Sequence, residues 1–207
     1  MVGYGADPSY CLSTILERTE RCLAGNHDLG VTGEVSLDVF AGLASEAVVW
    51  TREALGPAAR VRLQALRPAD PGAEVPMFHA SPRDPVWEYI LTVEQARDAL
   101  EDRRVALTLV GHTHIPSSWC LTPEGAMLSP GVPRDGVLRL TPGRWLVNPG
   151  SVGQPRDHDA RASWVLYEPE EATIRFHRTP YDVAGAQNAI LEAGLPSLLA
   201  HRLAEGR

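Results

Sequence analysis

Apolar positions in the first half of the chain recur at helical spacing. In the second half they fall in short strand-like runs separated by turn residues. Asp7 followed by Pro8 reads as an N-cap and first helical position, opening a helix to about Arg21 with Cys11, Ile15 and Leu16 on its apolar face. The run CLAG (22–25) is expected to be a short strand delivering Asn26, His27 and Asp28 at its end. A second helix is predicted from Ser36 to about Leu55, with Phe40, Leu43, Ala47 and Trp50 roughly on one face. Residues 56–73 are punctuated by Pro and Gly and predict a broken helix and loop. EVPMFHA reads as a short strand ending at His79, and Thr92 with Gln95 forms a capping box for a helix to about Arg103.

Strand-like runs follow at 105–110, 117–122, 136–140, 144–148, 162–168 and 172–178, before an amphipathic helix over about Val183 to Leu203. Strands and helices alternate at first and strands dominate later, which predicts an α/β or α+β class with a layered sheet core. No internal repeat or low-complexity tract interrupts the chain, and 207 residues suit a single domain, 1–207.

Composition narrows the function classes. Hydrophobic content of 44% and charged content of 22% are ordinary for a globular protein. No apolar run approaches the ~20 residues of a membrane helix, and no signal pattern opens the chain. The three cysteines, Cys11, Cys22 and Cys120, are too scattered for a disulfide framework or a CxxC zinc site, so a reducing cytoplasm is expected. A net charge of −7 argues against sequence-independent nucleic-acid binding, but not against a small phosphorylated substrate held by metal ions.

The candidate chemistry sits where predicted strands end: Asn26-His27-Asp28, His79, and His112 with His114 in GHTH. Side chains two apart on an extended segment point the same way, with origins about 7 Å apart at ~3.3 Å per residue. That spacing lets one histidine serve each of two ions ~3.5–4 Å apart, as in two-metal hydrolytic sites. Gly111 allows a sharp turn beside them. An isolated His-X-His is more often a surface histidine beside a half-buried one. Four of the seven histidines at strand-to-loop junctions favour metal.

GNHD, a lone histidine after a short strand, and GHTH occur in the order and rough spacing of the calcineurin-like metallophosphoesterases. NPGSVGQPRD, VGYGADP and SPRDPVWEYI resemble the small prokaryotic phosphodiesterase branch of that family. The resemblance covers nearly the whole chain and implies a β-sandwich flanked by helices, with the site at the carboxyl ends of strands. It implies that Asn26, His79 and His112 bind a second metal and His114 a first. It implies too that His27, steered by Asp28, stabilises the transition state or protonates the leaving alkoxide. The reaction implied is attack of metal-activated hydroxide on a phosphodiester or phosphomonoester, with Mn, Fe, Zn or Ni as candidate ions. Arg156 and Arg83 are candidates to grip a substrate phosphate, though each sits in a Pro-rich turn where solvated arginines are common. Asn148 and its neighbouring glycines read most simply as a tight turn, Asp28 as either a turn cap or an orienting group, and Trp87, Trp145 and Trp164 as core or groove lining.

Two motifs of the family pattern, an Asp-X-His and a Gly-Asp, do not occur in this sequence. The Gly-Asp is expected immediately before a segment like VGYGADP, so the chain is expected to lack an N-terminal strand–helix unit and its coding sequence to extend upstream of Met1. The remaining ligand candidates are neutral, and at most one ion is expected in this chain rather than the two of a complete site. A non-catalytic or degenerate homologue holding one metal ion is the alternative reading.

Overall fold

The computed structural model describes residues 1–101 and 103–207. In chain order come α1 (Pro8–Leu16), α2 (Asn26–Thr32), a 3-10 turn (Leu37–Val39), α3 (Leu43–Ala54) and α4 (Pro57–Gln64). Strands β1 (Ala69–Asp70) and β2 (Met77–Phe78), helix α5 (Val93–Glu101) and strand β3 (Leu107–Leu109) follow. Then come β4 (Ser117–Leu121), β5 (Met127–Leu128), β6 (Val137–Arg139), β7 (Arg144–Asn148), β8 (Ala162–Glu168) and β9 (Thr173–Thr179). Helices α6 (Val183–Glu192) and α7 (Ser197–Glu205) close the chain. Among the described residues no helix is long and apolar enough to cross a membrane. Contacts group the chain into two compact units, Met1–Pro68 with Asp182–Glu205, and Ala69–Tyr181 with Gly206–Arg207.

The first unit is helical. Ala47 on α3 packs with Ile190, Leu195, Leu199, Ala200 and Leu203 of the α6–α7 pair, and Leu43 and Trp50 border this cluster. Trp50 buries its ring there and donates its indole N–H to the Ala193 carbonyl at 2.9 Å, so the polar edge of a large side chain is satisfied. Gly30 lets α2 lie against Phe40 and Val48: a Cβ there would meet Phe40 Cζ at 2.8 Å.

The second unit is built on a six-stranded sheet, order β1-β2-β3-β7-β4-β5, and a three-stranded sheet, order β6-β9-β8. Period-two alternation assigns the faces of the larger sheet. Trp119, Leu121 and Leu146 join Ala96, Ala99 and Leu100 of α5 on one side. Leu107, Cys120, Trp145 and Val147 join Leu138 and Ile174 of the smaller sheet on the other. The result is a mixed α/β arrangement of sheets flanked by helix, as expected. Arg144 on β7 secures the end of α5 by donating to the carbonyls of Leu100, Glu101 and Arg103 at 3.0, 2.8 and 2.8 Å, a cation placed where the helix dipole is negative.

All six later strand runs form, as does the Thr92–Gln95 capping box: Gln95 Oε1 accepts from Thr92 N at 3.0 Å while Gln95 N donates to Thr92 Oγ1 at 3.3 Å. The expected end of that helix near Arg103 crosses Asp102, which lies outside the described residues. Other elements differ. Helix α1 stops at Leu16 because ERTER (17–21) offers nothing apolar to bury, and its inward stripe is Pro8 and Leu12, with Cys11 and Ile15 exposed. CLAG forms only an isolated bridge, Leu23 to Arg67, and Asn26-His27-Asp28 open α2 instead of ending a strand. The helix expected from Ser36 breaks at Gly42, held at φ 51°, and the final helix breaks at Gly194, φ 72°, followed by Pro196.

Candidate metal centre

Strand order in the second unit explains why two of the candidate histidines meet. Strands β2, β3 and β7 are neighbours and parallel, with Met77 opposite Leu109 and Leu109 opposite Val147. Their carboxyl ends therefore lie side by side and deliver His79, Gly111-His112 and Asn148 to one edge, where open α/β sheets bind ligands. The Gly111 N–H donates to the His79 carbonyl at 3.0 Å, and a Cβ at Gly111 would come within 3.1 Å of that oxygen, so close approach of the two strand ends is the reason for glycine there.

Nε2 of His79 lies 3.1 Å from Nδ1 of His112. Two neutral rings in this arrangement either share one N–H between them or turn both lone pairs to one cation. Two ligands at the ~2.0–2.1 Å of a Zn–N bond and a tetrahedral angle would be about 3.3–3.4 Å apart, so the observed separation fits a shared ion. His112 is buried, and its Nε2 makes no well-formed hydrogen bond. Burial is the largest influence on this ring, followed by the nearby Arg156 cation; the Trp87 backbone and Asp84 pull weakly the other way, and the pKa is lowered to about 4. The imidazole is thus neutral at ordinary pH, the form that ligates a metal.

His112 and His114 both hold left-handed backbone, φ 64° and 62°. Non-glycine residues rarely adopt it, and the surroundings must enforce it. Asn148 does so. Fully buried at the end of β7, it donates from Nδ2 to the Gly111 carbonyl at 2.8 Å and to Thr113 Oγ1 at 2.9 Å, and accepts from Gly150 N at 2.9 Å. Its neighbour Thr113 also accepts from Ile115 N at 3.2 Å. Asn148 is more than the turn residue expected from NPG: its amide ties the GHTH loop to the sheet. The signal available in sequence was an amide ending an apolar strand beside a second strand-end motif.

His114 is aimed by a different carbonyl. Its Nδ1 lies 2.8 Å from the Gln154 backbone oxygen, a contact that requires Nδ1–H and, in the neutral ring, puts the lone pair on Nε2. Gln154 is buried, and its Oε1 accepts from Arg156 Nε at 3.3 Å and NH2 at 2.9 Å, while the Arg156 N–H donates to the His114 carbonyl at 3.1 Å. Arg156 is therefore tied to the same loop and not merely solvated. Arg83 is engaged elsewhere, paired with Asp98 and 3.7 Å from Glu88.

An aromatic pair flanks His112. The Tyr89 ring stacks on it with centroids 4.1 Å apart and planes tilted by 18°, and Trp87 stands edge-on at 6.4 Å and 78°. Tyr89 lies in the SPRDPVWEYI segment, but nothing in that run signals that it meets His112. Of the other tryptophans, Trp145 is core, and Trp164 is 39% exposed, stacked on His177 at 4.2 Å.

Asn26, His27 and Asp28 belong to the first unit, all three buried in the opening turn of α2. Asp28 accepts from the Gly25 N–H at 2.7 Å, as an N3 carboxylate does for the N-cap, and also from the Met1 ammonium at 3.0 and 2.8 Å and Val2 N at 3.0 Å. His27 is held between Tyr4, centroids 4.3 Å apart, and Phe40, 5.4 Å. Gly3, at φ 135°, lets the chain pass so close that a Cβ would sit 2.6 Å from His27 Nδ1.

Among the described residues no group of three or more His, Cys, Asp and Glu side chains is gathered as a metal cluster. Within the second unit the fit to a divalent cation rests on the His79–His112 pair, with His114 on the same loop.

The model of the calcineurin-like phosphoesterase superfamily domain matches residues 11–172. An uncharacterized protein of Methanocaldococcus jannaschii is 34% identical over 215 residues, spanning the whole chain and 84% of that protein. The crystal structure of a metallophosphoesterase from Sphaerobacter thermophilus superposes with a TM-score of 0.84 at 36% identity, covering 99% of this chain and 84% of that one. A hypothetical protein of Pyrococcus horikoshii OT3 shares the fold at a TM-score of 0.76 and 18% identity, covering 99% of this chain and 82% of that one.

Proposed function

This chain belongs to the calcineurin-like phosphoesterase superfamily, whose members generally use divalent metal ions, and we propose that it hydrolyses a small phosphoester. The observation that carries the proposal is the 3.1 Å approach of His79 Nε2 to His112 Nδ1 at the carboxyl ends of adjacent parallel strands. His79 and His112 would hold the cation, with His114 as a further ligand. When bound, a divalent cation supplies charge against the phosphoryl oxygens and acidifies the attacking water. The chain's own residues do the rest. Neutral His112 offers a lone pair, Gln154 aims the ring of His114, and Arg156 presents its guanidinium to a phosphate oxygen. His27 would donate a proton to the leaving oxygen, with Asp28 fixing the turn that carries it. The cytoplasm is the proposed location.

A second reading, a non-catalytic module holding one ion, is favoured by the lack of any three-residue His, Cys, Asp and Glu cluster among the described residues. The two separate in one experiment. Manganese is titrated into the purified chain while thermal unfolding and hydrolysis of an aryl phosphodiester are followed. The enzyme reading expects a rise in Tm and turnover, both lost in His79→Ala and His112→Ala. Metal-induced stabilisation without turnover supports the binding module. Neither effect would end the metal reading altogether.

A further inference from the structure

The stack of Tyr89 on His112 has no use in holding a cation, yet it covers one face of a buried ligand candidate and leaves 42% of the tyrosine exposed. The loop that carries it is built to stay in place. Ser81 Oγ accepts from the N–H groups of Arg83 at 3.1 Å and Asp84 at 3.0 Å and pairs with Glu88, and Asp84 Oδ1 accepts from Val86 N at 3.0 Å and Trp87 N at 3.1 Å. At its far end, Leu91 N and Thr92 N are held by Gln95 at 2.8 and 3.0 Å. An exposed aromatic ring on a braced loop loses little freedom when a ligand covers it. Trp87, edge-on to His112, sets a second wall beside it.

We propose that Tyr89 is a specificity-determining residue that selects phosphoesters bearing a flat aromatic ring, by stacking that ring on the phenol face turned away from His112. The inference rests on the phosphoesterase reading of the same site. Arg156 is near enough to His112 to act on its charge and Tyr89 stacks on the same ring, so a phosphate held by Arg156 and His112 would lie beside the tyrosine, and a flat ring carried on it, as in a nucleotide or an aryl phosphate, would meet that face. Stacking of this kind is tolerant of ring identity, since every flat ring has a π face.

Calorimetric titration of the manganese-loaded chain with adenosine 5′-monophosphate, phenyl phosphate and ribose 5-phosphate tests this independently of turnover. Both aromatic ligands are expected to bind about 10-fold tighter than ribose 5-phosphate, within the range that base–aromatic stacking supplies. Tyr89→Ala should bring all three within about 2-fold, and Tyr89→Phe should restore the difference, which a merely structural role would not do. Preference for the nucleotide alone would identify a nucleobase as the natural ring, and equal gain by both aromatic ligands any flat ring; each supports the stack. Equal affinities in the unaltered chain, or a preference that survives Tyr89→Ala, overturns the stacking alone. Failure of all three ligands to bind overturns the phosphoesterase reading and this inference with it.

Discussion

Asn148→Ala removes a side chain whose three hydrogen bonds join β7 to the GHTH loop and to Gly150. Each bond contributes about 1 kcal/mol net, and a buried group left without its partner costs about 1–3 kcal/mol. Asn148 is fully buried, so solvent cannot easily replace it. The carbonyl of Gly111 would keep only its 2.7 Å bond from Thr113 N, just where two non-glycine residues hold left-handed backbone, φ 64° and 62°, which itself costs roughly 1 kcal/mol each. The expected loss is about 3 kcal/mol of folding free energy, or roughly 6–12 °C in Tm for a chain of this size. Asn148→Asp keeps the shape and the acceptor for Gly150, and the Thr113 hydroxyl can turn to donate to the carboxylate, but the Gly111 carbonyl then faces a buried anion, so a comparable loss is expected. Urea unfolding at pH 7 followed by tryptophan fluorescence measures both variants. A loss under about 1 kcal/mol in both would refute the claim that this amide, and not the strands around it, holds the histidine loop.

Three further outcomes follow from the same structure. His112 is held neutral, with a pKa of about 4 against about 6.5 unfolded, so the unfolded chain binds the extra proton first. The metal-free protein should therefore be fully stabilised above about pH 6.5 and lose on the order of 2–3 kcal/mol as the pH falls to about 4, with a flatter profile in His112→Gln; equal slopes in urea titrations at stepped pH would exclude His112 as the cause. Gly30→Ala forces a methyl to within 2.8 Å of the Phe40 ring and should cost about 1–3 kcal/mol by overpacking, whereas an unchanged denaturation midpoint would show that α2 shifts freely. Arg144→Ala strips donors from three carbonyls at the end of α5 and should cost about 1–3 kcal/mol; hydrogen exchange that leaves α5 as protected as before would contradict that anchoring role.

What the linear chain determined is whatever depends on neighbours in sequence. The alternating apolar runs of the second half need no distant partner to declare a strand, and all six form. The Thr92–Gln95 cap closes within four residues. The histidine motifs were legible because their residue types and spacing are local. Element ends were less so: α1 stops early and its inward stripe is Pro8 and Leu12, because which face is buried depends on what packs against it. GNHD looked like the end of a strand, but the Asp28 carboxylate caps the Gly25 N–H and starts a helix, and the single Leu23–Arg67 bridge is all that remains of the strand. Only tertiary structure decided that β2, β3 and β7 run parallel and adjacent, bringing His79 against His112 across 33 residues of sequence. It alone turned Asn148 from a turn residue into a brace and placed Tyr89 over a ligand candidate. Hydrophobic periodicity records which side of an element is buried; strand order and long-range hydrogen bonds, which aim side chains at one another, depend on packing that no local pattern encodes.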